Sequence, residues 1–183
     1  MTVIDTEIAG VKIVQPQIHR DQRGYFFETY NLERYRNCGI DADFVQDNES
    51  LSSRGVLRGL HWQTGSHAQA KLLRVIRGAV LDVVVDIRKG SPTFGRYVKC
   101  ELTADNGRQF FVPRGFAHGY AVLEDDTLLS YKCDNPYSPG AERGLRFDDP
   151  ALGIEWPDFG GEFILSEKDK KHPLLKDIEP WEA

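Results

Sequence analysis

The sequence lacks the features that mark several classes of protein. It has no apolar segment long enough to cross a bilayer, and its start, MTVIDTEIAGVKI, has no basic region followed by a long apolar run. Its three cysteines, Cys38, Cys100 and Cys133, form no CxxC pair and no Cys/His cluster, so neither a disulfide framework nor a zinc centre is expected. We therefore expect a protein of the reducing cytoplasm with no membrane partner.

Clustered positive charge is also absent. The net charge is −5 over 183 residues, with no run of lysines and arginines, which argues against nucleic acid as a partner. There is no GxGxxG segment and no P-loop, so a diphosphate would have to be bound by side-chain cations. An anionic small molecule fits this sequence if a few cations converge locally.

What the sequence does contain is a succession of β-rich segments separated by turn residues. Strands are predicted for VKIVQPQI, YFFETY, FVQDNESL, GVLRGLHWQ, AKLLRVIRG, AVLDVVVDI, RYVKCEL, RQFFVP, HGYAVL and TLLSYKC, with HRDQRG and TADNG as breaks. Helix is scarce. LERYRNCG, between Asn31 as N-cap and Gly39 as stop, predicts a short helix, and SEKDKKHPLL predicts another.

These patterns predict one all-β domain over residues 1–183, built as a sandwich or barrel of antiparallel strands with short peripheral helices. No internal linker and no clear repeat divides the chain. From about Pro139 onward the chain is expected to form a more irregular tail.

Two glycine-bounded histidine segments resemble the two motifs of the cupin jelly roll. The second motif is matched at the required spacing by four residues of GRQFFVPRGFAH, namely Gly107, Pro113, Gly115 and His118. This match predicts a cupin-like jelly-roll barrel, a fold that encloses a cavity.

The first cupin motif is only half present. Gly55 and His61 are in place, but Gln63 occupies the position of the second histidine. Counting back from Gly78 by the motif's spacing puts Lys71 where the carboxylate ligand belongs. Because a lysine there would repel a divalent cation, we expect the fold without its metal.

Four segments resemble, in the same order, those of the dTDP-4-dehydrorhamnose 3,5-epimerase family. They are VQDNESLSSRGVLRGLHWQ, AQAKLLRVIRGAVLDVVVDIR, FFVPRGFAHGYAVLED and SEKDKKHPLL, and the similarity begins at DQRGYFFE. The resemblance implies an epimerase without cofactor or metal that acts at C3 and C5 of dTDP-4-dehydro-6-deoxy-D-glucose and yields dTDP-4-dehydro-L-rhamnose. It also implies a homodimer in which strands pair between subunits.

Four residues match the family's catalytic groups. The C4 ketone acidifies the hydrogens on C3 and C5, and His61 matches the base, imidazole being the side chain suited to proton removal near neutral pH. Asp169 matches the carboxylate that orients this histidine, although Ser166-x-x-Asp169 is also typical of a helix capping box. Lys71 would neutralise the enolate oxygen. Tyr131 matches the proton donor on the opposite face of the sugar ring.

The remaining site residues concern the nucleotide. Arg23 and Arg58 supply forked donors suited to a diphosphate, and His118 is expected near the same mouth. Tyr137 is implied to stack on the thymine ring. The resemblance assigns further contacts to Glu28, Gln46, Asn48, Glu142 and Lys168.

Three other functions stay open on the sequence. A monofunctional relative would invert only C3 or only C5 of a related deoxysugar. A metal-dependent cupin oxygenase would need bound iron, with His67 as a substitute ligand. A sugar-binding or isomerase-like module would keep the arginines but exchange no ring hydrogens with solvent.

Overall fold

A computed structural model describes residues 1–182, and β-strands dominate it. The strands are β1 Thr2–Asp5, β2 Lys12–Gln15, β3 His19–Asp21, β4 Gly24–Phe26, β5 Gln46–Ser52, β6 Leu57–Gln63, β7 Lys71–Arg77, β8 Ala79–Asp86, β9 Tyr97–Thr103, β10 Gln109–Val112, β11 Phe116–Val122, β12 Thr127–Cys133 and β13 Glu142–Gly144. Helical structure comprises α1 Leu32–Asn37 and three short 3₁₀ turns, Gly65–His67, Asp169–Lys171 and Leu175–Asp177. No helix in the described range is long and apolar enough to cross a membrane.

Two antiparallel sheets face each other. The larger has the order β1-β2-β10-β7-β12-β5 and the smaller the order β13-β6-β11-β8-β9, while β3 and β4 form a separate hairpin. This arrangement confirms the predicted all-β, cupin-like jelly roll. The two sheets are not hydrogen-bonded to each other, so the barrel is not closed.

The space between the sheets is apolar over most of its length and polar at one end. Leu73 of β7 and Leu129 of β12 belong to a buried cluster that also includes Val84 of the opposite sheet. Because side chains alternate along a strand, Lys71, two residues before Leu73, and Tyr131, two residues after Leu129, share this inward face. The end of the sandwich that carries them is therefore polar.

The segment after β13 packs across the outer face of the smaller sheet. Leu145, Leu152 and Trp156 join Leu60 and Trp62 of β6 in a second hydrophobic cluster. We call residues 145–182 the C-terminal segment. Its packing brings residues 166–172 beside β6.

The helix predictions are confirmed at one place and corrected at the other. Asn31 caps α1 by accepting a hydrogen bond from the backbone N–H of Arg34 at 3.1 Å. Tyr35 anchors the helix, since it is buried and its hydroxyl donates to Gln109 Oε1 at 2.6 Å. SEKDKKHPLL, by contrast, forms only a single 3₁₀ turn, Asp169–Lys171, before the next one.

One predicted break was wrong. HRDQRG was expected to separate strands, but it builds the hairpin of β3 and β4, and the predicted strand YFFETY ends at Phe26. The Asp21 side chain accepts a hydrogen bond from the Arg23 N–H at 2.8 Å, and Gly24 has a φ of 119°, a combination that turns the chain sharply. The short strands β1 and β13 were also not predicted.

Strands β6 and β11 approach each other closely through two glycines. A Cβ at Gly59, whose φ is 133°, would lie 2.5 Å from the Gly119 Cα. Any larger residue would push the strands apart. Their pairing places His61 directly opposite His118.

Candidate active site

Two adjoining cavities lie at the polar end of the sandwich. Their volumes are about 490 Å³ and about 230 Å³, and both are lined by His61, Lys71 and Tyr131. The larger, which we call the outer cavity, also contacts the predicted residues Gln46, Asn48, Tyr137 and Glu142. The smaller, the inner cavity, contacts Arg58, His118, Lys168 and Asp169. Of the predicted site residues, only Arg23 and Glu28 line neither.

The shared residues come from opposite walls. His61 lies on β6 of the smaller sheet, whereas Lys71 on β7 and Tyr131 on β12 belong to the larger sheet. A planar ligand held between the sheets would thus meet an imidazole on one side and a phenol on the other.

His61 is held by a carboxylate from the C-terminal segment. Its Nε2 donates to Asp169 Oδ1 at 2.5 Å, and this aspartate is almost fully buried. Burial by itself would raise the pKa of Asp169, but the hydrogen bonds from His172 and His61 outweigh it and hold that pKa well below its usual range. Asp169 therefore stays ionised. The proton on Nε2 leaves Nδ1 of His61 as the basic nitrogen.

The capping interpretation of Asp169 is confirmed in part. Its backbone N–H donates to the hydroxyl of Ser166 at 3.1 Å, which is one of the two hydrogen bonds of a capping box, while the N-cap of the 3₁₀ turn is Lys168. The cap and the contact with His61 use different atoms of the same residue, and each supports the other.

His172 was not predicted as a site residue. Its Nε2 lies 3.2 Å from the same Asp169 Oδ1, and its ring meets the His61 ring edge to face at a centroid distance of 5.3 Å. No motif pointed to it, because its contact depends on how the C-terminal segment folds back.

A second histidine–aspartate pair lies deeper. His118 Nε2 is 2.9 Å from Asp82 Oδ1, and Asp82 is completely buried, with no partner for its Oδ2 within the described residues. Burial raises the pKa of Asp82 against the opposing influence of His118 and Lys71, and it lowers the pKa of His118. His118 was expected near the mouth of the site but is buried in the wall of the inner cavity. Asp82 was missed, although an aspartate amid the apolar AVLDVVVDI was a signal.

Lys71 and Tyr131 have no hydrogen-bond or ion-pair partner for their side chains among residues 1–182. Lys71 forms no salt bridge within residues 1–182, and its pKa is lowered by burial against the influence of Cys133, Asp82 and Glu142. Burial raises the pKa of Tyr131 to about 12, so its phenol is protonated at neutral pH. Both groups remain available to a ligand.

The outer cavity ends in a hydrogen-bonded chain. The Tyr137 hydroxyl donates to Glu142 Oε2 at 2.6 Å, and Lys168 forms an ion pair with the same oxygen. Burial would raise the pKa of Glu142, but these two contacts bring it below its usual range. Gln46 accepts from the backbone N–H of Tyr137 at 2.9 Å. The exposed Tyr137 ring is thereby fixed beside the cavity.

The three remaining predicted residues divide into two groups. Arg58 lines the inner cavity and donates to Ser52 Oγ at 3.1 and 3.2 Å. Arg23 pairs with Asp21 on the exposed hairpin, and Glu28 pairs with Arg34 of α1. A single chain does not bring Arg23 and Glu28 to its own cavities.

One group of side chains has the composition of a metal site. Potential ligand atoms of His61, Asp169 and His172 all lie within 4.8 Å of one another. They are joined to each other by hydrogen bonds through one carboxylate oxygen. The inner cavity also holds three cationic side chains, Arg58, Lys71 and Lys168. These charges disfavour a divalent cation, and the arrangement is better described as a hydrogen-bonded relay.

Gln63, which stands at the position of a cupin metal ligand, is engaged in hydrogen bonds with neighbouring backbone groups. The Gln63 amide donates to the His67 carbonyl at 2.6 Å, and its oxygen accepts from the Ser138 N–H at 2.6 Å. His67 is exposed in its 3₁₀ turn and lines neither cavity. The residues present therefore do not fit the cupin ligand set.

Comparison with known proteins identifies the family of the chain. The family model described as dTDP-4-dehydrorhamnose 3,5-epimerase matches residues 5–177. The enzyme of that name from Salmonella typhimurium is 49% identical, the match covering 96% of each chain. Its counterpart from Methanothermobacter thermautotrophicus is 46% identical over 95% of this chain and 94% of its own length.

A solved structure is similar throughout. The dTDP-6-deoxy-D-glucose-3,5-epimerase of Legionella pneumophila, crystallised in complex with dTDP-4-keto-L-rhamnose, superposes with a TM-score of 0.94 at 45% identity, covering 100% of this chain and 98% of the other. Sequence and fold thus agree over nearly the whole length. The chain belongs to the dTDP-4-dehydrorhamnose 3,5-epimerase family, a family of isomerases.

Proposed function

We propose that this chain inverts C3 and C5 of dTDP-4-dehydro-6-deoxy-D-glucose and so produces dTDP-4-dehydro-L-rhamnose. The observation that carries the proposal is the placement of His61 and Tyr131 on opposite walls of a shared cavity. Inversion at carbon requires a proton to leave one face and another to arrive at the opposite face. A single base would return the proton to the side from which it came.

The proton transfers follow from the hydrogen bonds of the site. His61, held by Asp169 through Nε2, takes the proton from carbon on Nδ1. The electron pair of the broken C–H bond moves onto the C4 oxygen and forms an enolate. Tyr131 then gives its phenolic proton to the same carbon from the other side, and both side chains recover their starting states by exchange with solvent.

Lys71 stabilises the enolate. Its ammonium group lies in both cavities and has no competing salt bridge within the described residues. A positive group held in place before the reaction stabilises developing negative charge more than mobile water does, and the loss of one such donor typically costs about 3 kcal/mol of barrier. We therefore assign the oxyanion role to Lys71.

The outer cavity is proposed to bind the nucleotide. Tyr137 offers an exposed ring for the thymine, and Gln46, Asn48, Glu142 and Lys168 offer polar contacts around it. Arg58 and His118 lie on the inner side, where the diphosphate and sugar meet. A related enzyme crystallised with a dTDP-4-keto sugar supports this class of substrate.

Incubation with the 4-keto sugar nucleotide in D₂O tests the function. We expect deuterium at both C3 and C5 and, by NMR, a product inverted at both carbons. Inversion at one carbon alone would identify a monofunctional enzyme. Binding without any deuterium incorporation would refute the epimerase assignment.

We further propose a homodimer. Tyr25 and Phe26 of the hairpin are 59% and 75% exposed, an unusual amount of aromatic surface for a single chain in water. Arg23, on the same hairpin, can serve as a substrate ligand only if it reaches the cavity of a second copy. Mixing Arg23→Ala with His61→Asn subunits should then restore activity, because each mixed dimer has one intact site. A stable active monomer in sedimentation would contradict the dimer.

We also propose a cytoplasmic location. The cysteines Cys38, Cys100 and Cys133 are all unpaired, which suits a reducing compartment. Recovery of the protein in the membrane or secreted fraction after cell fractionation would refute this.

A further inference from the structure

We propose that His172 is a positioning residue for the catalytic pair. Its imidazole holds the Asp169 carboxylate in the orientation from which that carboxylate aligns His61. The inference rests on the proposed function for the roles of His61 and Asp169. It adds a task for a histidine that no sequence motif singled out.

The first support is the shared oxygen. Asp169 Oδ1 accepts from His61 at 2.5 Å and from His172 at 3.2 Å. A carboxylate held by one donor can rotate about its Cβ–Cγ bond and carry that donor with it. The second donor fixes the rotation, so that the His61 ring is held in one orientation as well.

The second support is the seat of the His172 ring. A Cβ at Gly144 would lie only 2.1 Å from Cε1 and 2.2 Å from Nδ1 of His172, so the ring occupies the space that a side chain at Gly144 would fill. Gly144 is the residue of β13 that pairs with His61 of β6. The strand that flanks the base therefore also seats the ring that fixes its partner.

The backbone around His172 is fixed too. The Arg146 N–H donates to the Pro173 carbonyl at 2.9 Å, directly after His172, and the His172 side chain is only 8% exposed. The ring is thus held between the end of β13 and the 3₁₀ turn that carries Asp169. A histidine present only by chance at the surface would show neither feature.

The other charged and titratable groups around the cavity do not perform this task. They are Arg58 on β6, Lys71 on β7, His118 and Tyr120 on β11, Tyr131 and Cys133 on β12, Tyr137 before β13, Glu142 on β13 and Lys168 in the C-terminal segment. None of them forms a hydrogen bond or ion pair with the Asp169 carboxylate in the described part of the chain. The hydrogen bonds that lower the pKa of Asp169 come from His172, His61 and Ser166, and the two imidazoles are the groups that share its Oδ1.

The kinetic test compares His172→Ala with His172→Gln. We expect His172→Ala to lower kcat about 10-fold with KM nearly unchanged, since loss of a group that orients a functional histidine costs on that scale. The glutamine amide can still donate to Asp169 and should restore most of kcat. His67→Ala, which removes an exposed histidine outside both cavities, is the matched control and should behave as the parent.

Gly144→Ala tests the seat independently. The added methyl group should displace the His172 ring and lower kcat as His172→Ala does. In the double variant, Gly144→Ala should cause no further loss, because the ring it displaces is already gone. Additive losses would overturn the role assigned to the seat.

A spectroscopic readout separates this inference from the proposed function. In ligand-free protein labelled with ¹⁵N-histidine, the Nε2 proton of His61 should be protected from water in the parent and in His172→Gln, and broadened by exchange in His172→Ala. This comparison needs no substrate, so a parent that fails to epimerise would refute the function alone. An unchanged resonance together with an unchanged kcat in His172→Ala would overturn the positioning role.

Discussion

The two histidine–aspartate pairs of this chain, His118–Asp82 and His61–Asp169, have the same residue types but different environments. His118 and Asp82 both lie on strands, and their carboxylate is fully buried with one oxygen unpartnered. His61 receives its carboxylate from the C-terminal segment, and Asp169 has further donors and a backbone hydrogen bond within its turn. Burial dominates the first pair and raises the aspartate pKa, whereas hydrogen bonds dominate the second and lower it. The comparison teaches that His61 faces a carboxylate that hydrogen bonds keep ionised, whereas His118, opposite it on the neighbouring strand, faces a carboxylate whose ionisation is opposed by burial.

The largest effect on proton exchange is expected from replacement of His61, the proposed base. His61→Asn should abolish deuterium incorporation at both C3 and C5, because asparagine has no basic nitrogen. His118→Asn should weaken turnover and binding but leave exchange measurable, since His118 is already paired with Asp82. NMR of the sugar after incubation in D₂O measures both variants. Exchange retained at either carbon in His61→Asn would mean that another base serves that carbon.

The next largest effect, on net inversion, is expected from replacement of Tyr131, and Tyr120 beside His118 serves for comparison. Tyr131→Phe removes the proposed donor, so net inversion should fall by about 10²–10⁴, the usual contribution of a general acid. Deprotonation by His61 should survive, and deuterium should enter with configuration largely retained.

Tyr120→Phe is the matched variant. Tyr120 lies 6.1 Å from His118 between ring centroids, and its hydroxyl shares a hydrogen bond of 2.8 Å with Ser50. It should lose far less inversion than Tyr131→Phe, as measured by deuterium content and configuration at C5 in the same sample. Inversion of C5 at the parent rate in Tyr131→Phe would show that the donor lies elsewhere.

The pH dependence of stability should have opposite signs at the two aspartates. The lowered pKa of Asp169 means that the folded state gains stability as pH rises toward the unfolded value near 4 and loses it on acidification. Asp169→Asn should therefore be most destabilising above about pH 4. The raised pKa of Asp82 means that the folded state loses stability as pH rises above about 4, so Asp82→Asn should compare more favourably with the parent as pH increases.

Urea unfolding across a pH series measures both differences. Parallel curves for the two variants would show that the two carboxylates have equivalent environments. That outcome would remove the distinction drawn between the pairs.

Removal of metal ions is expected to have no effect on the rate of epimerisation. Neither pair is proposed to work through a metal, and Gln63 and Lys71 occupy the cupin ligand positions. Incubation with a chelator should leave the rate of epimerisation unchanged. Loss of activity that one particular metal restores would contradict this.

The sequence predicted the strands because they depend on local pattern, and the residues proposed for the site came from resemblance to the family. Alternation located β7 and β12 within a residue or two, whereas Lys71 and Tyr131 were assigned to the site by motif spacing and by resemblance to the family. Segment similarity placed Asp169. Local pattern could not reveal His172, whose contacts with Gly144 and Asp169 arise only when the C-terminal segment folds onto β13.

The β3–β4 hairpin and the burial of His118 could not be predicted from the sequence, for related reasons. The break predicted at HRDQRG was wrong because a polar turn and a short exposed hairpin have the same composition. The depth of His118 depends on the close approach of Gly59 and Gly119, which is a property of two strands together. A single sequence pattern describes one strand at a time.

The origin of Asp169 in the C-terminal segment has a consequence for the order in which the site is assembled. The hydrogen bond between His61 and Asp169 joins residues 108 positions apart, and Asp169 follows every strand of both sheets in the chain. Contacts between distant residues form late, because closing a long loop costs entropy before the contact repays it. In a chain that leaves the ribosome or refolds from denaturant, the outer cavity should therefore form before Asp169 aligns His61. In a refolding experiment, nucleotide binding through the lining of the outer cavity, which ends at Glu142, should recover before the contacts of Lys168 and Asp169, and proton exchange should recover last.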